Sequence, residues 1–480
     1  MRKLCLISVT AALVLASAAC VEKGSGNTTP VIVNPDNGGN GETPPSPPAP
    51  PTPPVTGNIP TVGKVMPAWV KGNLDIHFIN TTDGECTFII LPDGTQILVD
   101  AAGAEQATGA VGSQTNTGIR QRWDPRKDKS FDCGDFIIDY IDRCMAWTGN
   151  NKLDYVLVTH LHNDHYGAHL NRPVSSLSGT YRLQSMVKIL EHYQTGKLLD
   201  RGYPDYNYPF DMMKVYTDKS ESSVYNWISA VRWLVANRDL KVEKFVAGSD
   251  TQLSMVHEQG SFNCKVRNLA VNGDVWTGTG TLFNSTFPVL SSVTCANPPS
   301  VANEDNCPEE NHESCCFKLS YGKFDYFAGA DLQYDGCSSH TWKDIETPVA
   351  KACGKVEVMK ADHHGCSNTN GTGYKGKKGT VSNALEYLNP QCWIVNSWTD
   401  GHPRQATYEN VTELLPGMDT YITNTCTAMQ SYKNYNRLKG HDGHIVVRVE
   451  NGGETYRVCT LTDSDRQMTV KEVSGPYTSR

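Results

Sequence analysis

Four histidines and an aspartate lie close together in the segment THLHNDHYGAH, which spans residues 159–169. The apolar segment LDYVLVT leads into it and is typical of a short buried strand. Residues two positions apart on an extended chain point the same way, so His160 and His162 can bind one metal ion together. Asp164 and His165 follow the bend and can face a second ion. An exposed turn would explain the aspartate but not the histidine spacing, which predicts a metal site.

Two neighbouring metal ions would give this segment a defined chemistry. Such a pair polarises a substrate oxygen and generates hydroxide from bound water, whose pKa falls to about 7. Zinc is the usual ion at histidine-rich sites, although manganese or iron also occupies mixed nitrogen and oxygen sites. The predicted cofactor is therefore two divalent metal ions, with Zn²⁺ favoured and Mn²⁺ or Fe as alternatives. His169 lies one residue outside the pattern and is expected behind the ligands or at the surface.

The rest of the sequence predicts strands at both ends of one catalytic body, with helices between them. CTFIIL and QILVD flank Asp93-Gly94, a dipeptide that suits the tight turn of a hairpin. GDFIIDYIDRCMAWTG places apolar residues on one helical face. Strand patterns resume with CCFKLSY and FDYFAGAD and close with HIVVRVE and ETYRVCT. This order favours two packed sheets covered by helices, with an insertion at about 170–305 that helps to shape a substrate pocket.

Several motifs in this order resemble the metallo-β-lactamase superfamily. They are FINTTDGECTFIILPDGTQILVDAAG, NHESCCFKLSYGKFDYFAGADL, VMKADHHGCSN and SWTDGHP, and with the histidine segment they are similar to the hydrolase domain of ComEC-type competence proteins. The resemblance covers most of residues 72–450. It implies an α/β (α+β) fold, the αββα sandwich of the metallo-β-lactamase fold, with a dinuclear site at the edge of two sheets. The hydrolase domain is expected at 72–460, followed by a C-terminal tail at 461–480.

The resemblance also implies roles for residues outside the histidine segment. Asp331 corresponds to the carboxylate that bridges both metals, and its place after an apolar strand agrees, because a lone buried charge is costly without a cation. Capping of a loop is the local alternative for this aspartate. His364 corresponds to a metal ligand and His363 to the group that stabilises the substrate oxyanion, although the reverse assignment stays open. Asp100 resembles the buried aspartate that orients a histidine ligand. The expected ligands are His160, His162, Asp164, His165, Asp331 and His364.

One segment departs from the superfamily pattern. Most members supply a third histidine to the first metal, but this chain has EENHES at that place. His312 could be the ligand or an exposed loop residue, and Asn311 could contact the metal or the substrate instead. His402 of DGHPR matches a motif near the mouth of the site, where it could hydrogen-bond the substrate or serve the turn. The expected catalytic residues are Asp164, His363 and His402.

Two other features near HHG have simpler explanations. GYKGKKG contains Lys375, Lys377 and Lys378, which could steer a phosphate but are better explained as a solvated loop. Cys366 is expected to pack or to form a disulfide, since a nucleophile is already supplied by the metal site. Among the 16 cysteines, Cys133 with Cys144 and Cys295 with Cys307 are the local candidates for disulfides in an oxidising compartment. Strand alternation should send the side chains of Cys315 and Cys316 to opposite faces.

The N-terminal segment is typical of an exported protein. Residues 1–20 combine a basic start with an apolar stretch, which indicates a secretory signal. Cys20 follows small residues as in a bacterial lipobox, but Ser17 replaces the usual leucine, so lipidation and ordinary cleavage both remain open. Residues 21–58 are rich in proline and glycine and predict a disordered linker. We expect a lipoprotein of the cell envelope, periplasmic or at the cell surface, or otherwise a secreted protein, with the lipid as its sole membrane attachment.

These features together predict an exported metal-dependent hydrolase of phosphodiester bonds. The expected substrate is a phosphoester, in a small molecule, an envelope polymer or a nucleic acid, and no protein partner is implied. A net charge of −8 and an isoelectric point near 6.0 give no overall attraction to phosphate polymers. Hydrolysis of a β-lactam amide, and a non-catalytic surface lipoprotein with a vestigial metal site, are the alternatives. No stretch after the signal is apolar for long enough to span a bilayer, so a channel for DNA uptake is not expected.

Overall fold

A computed structural model describes residues 59–82, 84–103, 132–169, 172–216, 222–289, 308–334, 341–367, 369–370, 384–397, 402–464 and 466–480. The expected signal, Cys20 and the linker at 21–58 lie outside these residues. The lysines of GYKGKKG and the pair Cys295 and Cys307 also lie outside them. The architecture below is therefore that of the expected hydrolase domain.

Within the described residues, the first of two mixed sheets contains nine strands. Their order is β18 (Val470–Thr478), β17 (Thr455–Leu461), β16 (His444–Glu450), β1 (Leu74–Phe78), β2 (Cys86–Ile90), β3 (Gln96–Ala101), β4 (Leu153–Leu157), β5 (Thr195–Asp200) and β6 (Val242–Lys244). The hairpin of β2 and β3 turns at Asp93-Gly94 as expected, and Gly94 has the positive φ of 91° that this turn needs. From β3 to β6 the strands are parallel, so their carboxyl ends share one edge of the sheet.

The second sheet also contains nine strands. Their order is β15 (Leu438–His441), β14 (Asp419–Ile422), β13 (Cys392–Val395), β12 (Val358–Lys360), β11 (Phe324–Ala328), β10 (Cys316–Tyr321), β7 (Cys264–Val271), β8 (Asp274–Trp276) and β9 (Phe283–Ser285). Strands β11 to β15 are parallel, whereas β10 pairs antiparallel with both of its neighbours. The carboxyl ends of these parallel strands form a second edge, and the loops that follow β11, β12 and β13 leave from it.

Helices cover the outer faces of both sheets. They are α1 (Cys133–Thr148), α2 (Asn163–Tyr166), α3 (Ser185–His192), α4 (Met212–Val215), α5 (Ser223–Arg238), α6 (Glu346–Cys353), α7 (Ala384–Leu388) and α8 (Gln405–Leu414). The expected amphipathic helix is α1, which begins at a reciprocal cap between Asp132 and Asp135. It ends at Gly149, whose φ of 70° is the left-handed conformation that terminates many helices.

Apolar side chains form three clusters that define the layers. One lies between the first sheet and helices α1, α3 and α5, one between the two sheets, and one between the second sheet and helices α6, α7 and α8. Alternation along the strands divides the side chains: Phe88 belongs to the outer cluster and Ile89 to the inner one. Cys315 and Cys316 likewise enter different clusters, as expected. The layers follow the order helix, sheet, sheet, helix, which confirms the αββα sandwich.

Two expected segments belong to the sheets themselves. Residues 461–480 were expected to form a tail, but β18 lies within them and pairs antiparallel with β17. The insertion at about 170–305 supplies β5 and β6 to the first sheet and β7, β8 and β9 to the second. The reason is that short apolar runs such as KLLD find partners in distant strands, where backbone hydrogen bonds complete them. The insertion is thus part of the sandwich rather than an addition to it.

Cys133 and Cys144, one of the two candidate pairs for a disulfide, are not bonded to each other. Both residues are buried on α1. At a rise of 1.5 Å per residue, their Cα atoms are separated by about 16 Å along the helix axis, whereas a disulfide allows at most about 7 Å. Spacing in sequence suggested a pair that helical geometry forbids.

Candidate metal centre

The histidine turn begins where β4 ends, at the edge of the first sheet that is formed by the carboxyl ends of its parallel strands. The N–H of Val158 donates to the carbonyl of Leu199 on the neighbouring strand at 3.0 Å. Asp100, at the end of β3, then holds the turn: its Oδ1 accepts the N–H of Thr159 at 2.8 Å and its Oδ2 the hydroxyl at 2.7 Å. His162 remains extended and the four-residue helix α2 follows it. Because the chain changes from strand to helix after His162, the side chains of Asp164 and His165 are directed to a different position from those of His160 and His162.

Four of the expected ligands form one compact cluster. Asp164, His165, Asp331 and His364 each offer one ligand atom, and these atoms all lie within 4.8 Å of one another. Asp331 Oδ2 is 3.1 Å from His165 Nε2 and 3.5 Å from His364 Nε2. Asp164 Oδ2 is 3.2 Å from His364 Nε2. We call Asp164, His165 and His364 the second half of the centre.

His160 and His162 form the first half. His160 Nε2 lies 3.2 Å from His162 Nδ1, so the two rings converge as the spacing predicted. His160 Nε2 is also 3.9 Å from Asp331 Oδ2. Asp331 therefore lies between the two halves, where a bridging carboxylate is expected.

Asp331 itself is a buried carboxylate with no hydrogen bond. It is 0% exposed, and neither of its side-chain oxygens has a hydrogen-bond partner among the described residues. It follows β11 by way of Gly329 and Ala330, and so enters the centre from the second sheet. A buried charge in this state is costly unless a cation meets it. Capping of a loop, the local alternative, would require a hydrogen bond that these oxygens do not make.

The electrostatics of the cluster call for positive charge. Burial opposes the charged form of His165, but Asp331 and Asp100 outweigh burial and raise the pKa of His165 well above its ordinary value. Burial likewise opposes ionisation of Asp331, yet His165 and His364 hold the pKa of its carboxyl well below the usual range. A divalent cation would take over this role, since it neutralises carboxylates and binds imidazoles in their neutral form. Nitrogen and oxygen donors of this kind fit zinc, manganese or iron.

Asp100 lies behind His165, as the resemblance implied. Its Oδ2 is 2.8 Å from His165 Nδ1, so Nε2 of the same ring is left to face Asp331. Asp100 is 2% exposed, so this contact is shielded from bulk water. This is the usual arrangement by which a carboxylate fixes the orientation and tautomer of a metal-binding histidine.

The adjacent histidines of HHG lie at different depths. His364 is buried, and its Nδ1 is 2.9 Å from the carbonyl of Asn396 while its Nε2 faces the carboxylates. The side chain of His363 is 16% exposed, and its Nε2 lies 3.9 Å from Asp331 Oδ2. Both residues have positive φ, 46° and 53°, a conformation that costs non-glycine residues about 1–3 kcal/mol. The geometry places His364 among the ligand atoms and His363 at the rim, in line with the expected assignment.

The EENHES segment places its asparagine beside His363. Asn311 Nδ2 lies 3.4 Å from both ring nitrogens of His363 and 3.1 Å from Gln333 Oε1, while Oδ1 is buried without a partner. His312 is 1% exposed, so an exposed loop residue is the wrong description. Burial and the nearby Lys343 lower the pKa of His312 to about 3. It lies outside the four-ligand cluster.

Three other expected residues are buried or partly buried nearby. His402 is 1% exposed, with its ring centre 6.2 Å from that of His364. Cys366 is half-buried and forms no disulfide. His169 is fully buried, and its Nδ1 is 2.8 Å from the hydroxyl of Ser223 on α5. His169 is therefore neither a surface residue nor part of the centre.

Sequence reasoning missed a buried ion pair beneath the centre. Lys360, the last residue of β12, places Nζ 2.9 Å from Glu85 Oε1 and 4.0 Å from Asp331 Oδ1. Glu85 Oε1 lies 3.2 Å from His364 Nδ1. Both residues are nearly inaccessible, at 4% and 2% exposure. The signal that could have revealed them is a charged residue at the end of an apolar run, as in VEVMK and GECTFII.

Solved structures with a similar fold are known for this architecture. No protein-family model and no curated protein matches the chain. Among solved structures, the chain is similar to the metallo-β-lactamase fold protein YhfI from Bacillus subtilis, with a TM-score of 0.33 and 10% identity over 74% of this chain and 98% of that one. It is also similar to a protein of Parabacteroides distasonis provisionally termed a metal-dependent hydrolase, with a TM-score of 0.29 and 11% identity over 73% and 92%. Both TM-scores are below 0.5, so the proposed function is drawn from the chain's own residues and motifs.

Among the described residues, no helix combines the length and apolar character needed to cross a bilayer.

Proposed function

We propose that this chain is a metal-dependent hydrolase that uses two divalent metal ions and acts on phosphodiester bonds. The observation that carries the proposal is Asp331, a fully buried carboxylate whose oxygens make no well-aligned hydrogen bond among the described residues and lie within 4 Å of imidazole nitrogens from both halves of the centre. His160 and His162 would hold one ion, and Asp164, His165 and His364 the other, with Asp331 shared. When bound, such a pair supplies a hydroxide near neutral pH and polarises a substrate oxygen.

The protein groups around the centre would orient the histidine ligands and stabilise negative charge that develops on the substrate. Asp100 fixes the ring of His165 from behind, and the carbonyl of Asn396, with Glu85 beside it, does the same for His364. Burial lowers the pKa of His363 to about 4, so this ring is neutral at pH 7 and one of its nitrogens can donate a hydrogen bond to a developing oxyanion. Asn311 lies beside it and could hold the substrate or complete the first half.

A phosphodiester is preferred to a β-lactam on the strength of the motifs. VMKADHHGCSN and SWTDGHP resemble ComEC-type hydrolases, and Asn311, which lies beside His363, belongs to the segment in which classical members have a histidine. A small phosphoester, an envelope polymer and a nucleic acid all present the same phosphorus centre. The native substrate would be sought among these three.

One assay separates the candidate functions. Bound metal would be measured, together with turnover of bis(4-nitrophenyl) phosphate and of a chromogenic cephalosporin, for the wild type, H165A and H169Q. We expect metal and phosphodiester turnover in the wild type, the loss of both in H165A, and retention of both in H169Q, because His169 bonds to Ser223 instead. A metal-free wild type that turns over neither substrate would leave only a binding protein. Turnover of the cephalosporin alone would favour the amide hydrolase.

We also propose export and anchoring through a lipid on Cys20. The support is the signal-like sequence of residues 1–20, which ends in small residues before the cysteine. In cells, C20A should shift the protein from the membrane fraction to the soluble fraction. An unchanged distribution, or a wild type without a lipid in its mass spectrum, would contradict anchoring.

A further inference from the structure

A buried arginine lies directly behind the histidine turn. Arg201 follows β5, the strand next to β4, and is 1% exposed. Its Nε and Nη2 donate to the two oxygens of Glu310, and Nη2 is also 2.7 Å from Glu313 Oε2. Nη1 donates to the carbonyl of Tyr208 at 3.1 Å. Every nitrogen of the guanidinium group therefore has a partner.

Glu310 connects this arginine to the metal-binding turn. Its Oε1 also accepts the backbone N–H of Leu161 at 2.6 Å. Leu161 is the residue between His160 and His162, so one carboxylate holds the peptide that joins the two rings of the first half. Glu310 precedes Asn311 in the chain, and the same contact sets the place of the EENHES segment.

The chemistry of these groups makes the contact rigid. A guanidinium is always ionised, and its planar fork matches a carboxylate in two parallel hydrogen bonds. Removal of Arg201 would leave the adjacent carboxylates of Glu310 and Glu313 without a counter-charge, so the contact cannot open cheaply. Rotation of the Leu161 peptide would turn both imidazoles at once, and Glu310 restrains that rotation.

We propose that Arg201 and Glu310 are positioning residues that fix His160 and His162 for the metal ion of the first half. Neither residue belongs to the compact cluster of ligand atoms, and both carboxylate oxygens of Glu310 face Arg201. The inference rests on the proposed function only in requiring that the centre binds metal. The inference also gives the insertion at about 170–305 a role in positioning the first half, because Arg201 lies within it.

Zinc titration of the metal-stripped full chain against a chromophoric chelator tests this role. E310Q keeps the side-chain shape but loses the charge, and R201K keeps the charge but loses the fork. We expect each variant to bind one of the two Zn²⁺ ions about 10- to 100-fold more weakly, the usual effect of losing an outer partner of a ligand, and to bind the other as the wild type does. H162A identifies the affected ion: adding E310Q to H162A should not change the affinity of the remaining ion.

R448K is the matched control. Arg448 forms the same fork with Asp75, with Nε to Oδ1 at 2.9 Å and Nη2 to Oδ2 at 2.6 Å, and both residues are 0% exposed. This pair joins β1 to β16, and the other charged side chain recorded beside Asp75 among the described residues is His77, which is not a ligand of the centre. R448K should lower the thermal midpoint and leave both zinc affinities unchanged.

The outcomes separate this inference from the proposed function. Unchanged zinc affinities in E310Q and R201K, equal weakening of both ions, or the same weakening in R448K would overturn the positioning role. A wild type that binds no zinc would overturn it together with the metal centre. Two bound ions, selective weakening in the variants and no phosphodiester turnover would support the positioning role and reject only the proposed reaction. If E310Q does not fold, the two zinc affinities of R201K test the positioning role.

Discussion

At the scale of single residues, the candidate centre is a balance of buried charge. Asp331 carries a carboxylate without hydrogen bonds, and imidazoles surround it at 3.1 to 3.9 Å. Asp100 and Glu85 face the outer nitrogens of His165 and His364, so each ring presents Nε2 to the interior. Orientation is therefore set before any ion arrives, which is the usual way a protein lowers the cost of binding a metal.

D100N tests this orientation directly. The amide oxygen can still accept the N–H of Thr159, but the negative charge next to His165 Nδ1 is lost. We expect metal affinity to fall about 10- to 100-fold while the fold is kept. Metal affinity would be measured by competition with a chelator, and folding by circular dichroism.

D93N provides the comparison for D100N. Asp93 also accepts backbone N–H groups in the first sheet, from Thr95 and His257, but it lies at the hairpin turn. Replacement of Asp93 by asparagine should lower the stability of the fold and leave metal affinity unchanged. Equal losses of affinity in both variants would mean that the effect of D100N is general rather than local.

At the scale of elements, the parallel strands carry the centre. The loops that follow β4, β11 and β12 supply its ligands, and all three leave from carboxyl edges. The same arrangement places binding sites at the carboxyl ends of strands in many α/β proteins. The strand, helix and hairpin patterns on which the sandwich depends are therefore also those that position the site.

Local patterns were sufficient for some parts and not for others. The convergence of His160 and His162 was predictable because it depends only on period-two geometry. The Arg201–Glu310 pair was not, since its members are 109 positions apart and meet only after both sheets form. The sequence VKEVSGPYT does not predict a strand, because it lacks clear alternation and contains a Gly-Pro break, and yet it forms β18. Its edge position explains why that sequence is tolerated.

The pairing of β1 with β16 predicts a pH dependence of stability. Burial opposes ionisation of Asp75, but Arg448 and His77 outweigh it and lower the pKa of Asp75 to about 2. Because this pKa is lower in the folded chain than in the unfolded one, the stabilisation is complete above about pH 4 and is lost as the pH falls toward 2. A shift of this size corresponds to roughly 2 kcal/mol.

Urea denaturation in the presence of chelator would measure this contribution. D75N should be about 3–5 kcal/mol less stable than the wild type at about pH 5, because it leaves Arg448 buried without a counter-charge. Between about pH 5 and about pH 3 it should lose less stability than the wild type does. Parallel losses in the two proteins would show that Asp75 is not the titrating group.

At the scale of the whole molecule, the centre joins the two sheets. His160, His162, Asp164 and His165 follow β4 of the first sheet, whereas Asp331 and His364 belong to loops of the second. A metal ion held by both sets would bind the folded sandwich and not the unfolded chain. Ligands of the folded state stabilise it by mass action.

Thermal unfolding with and without metal tests this coupling. With Zn²⁺ at a thousand times its dissociation constant, the gain is about 4 kcal/mol, so the melting temperature should rise and return when chelator is added. H364A, which removes one of the two ligands that the second sheet supplies, should show a much smaller rise. An equal rise in H364A would place the stabilising ion elsewhere in the molecule.

The most direct test of the account is the metal content of purified wild type and D331N. Asp331 is the group that lies between both halves, so the wild type should contain two divalent ions per chain. D331N keeps the size of the side chain but removes the shared charge, and it should lose both ions or retain one with an affinity lowered by more than about 100-fold, beyond the effect of an outer partner. Two tightly held ions in D331N, or none in the wild type, would contradict the dinuclear centre.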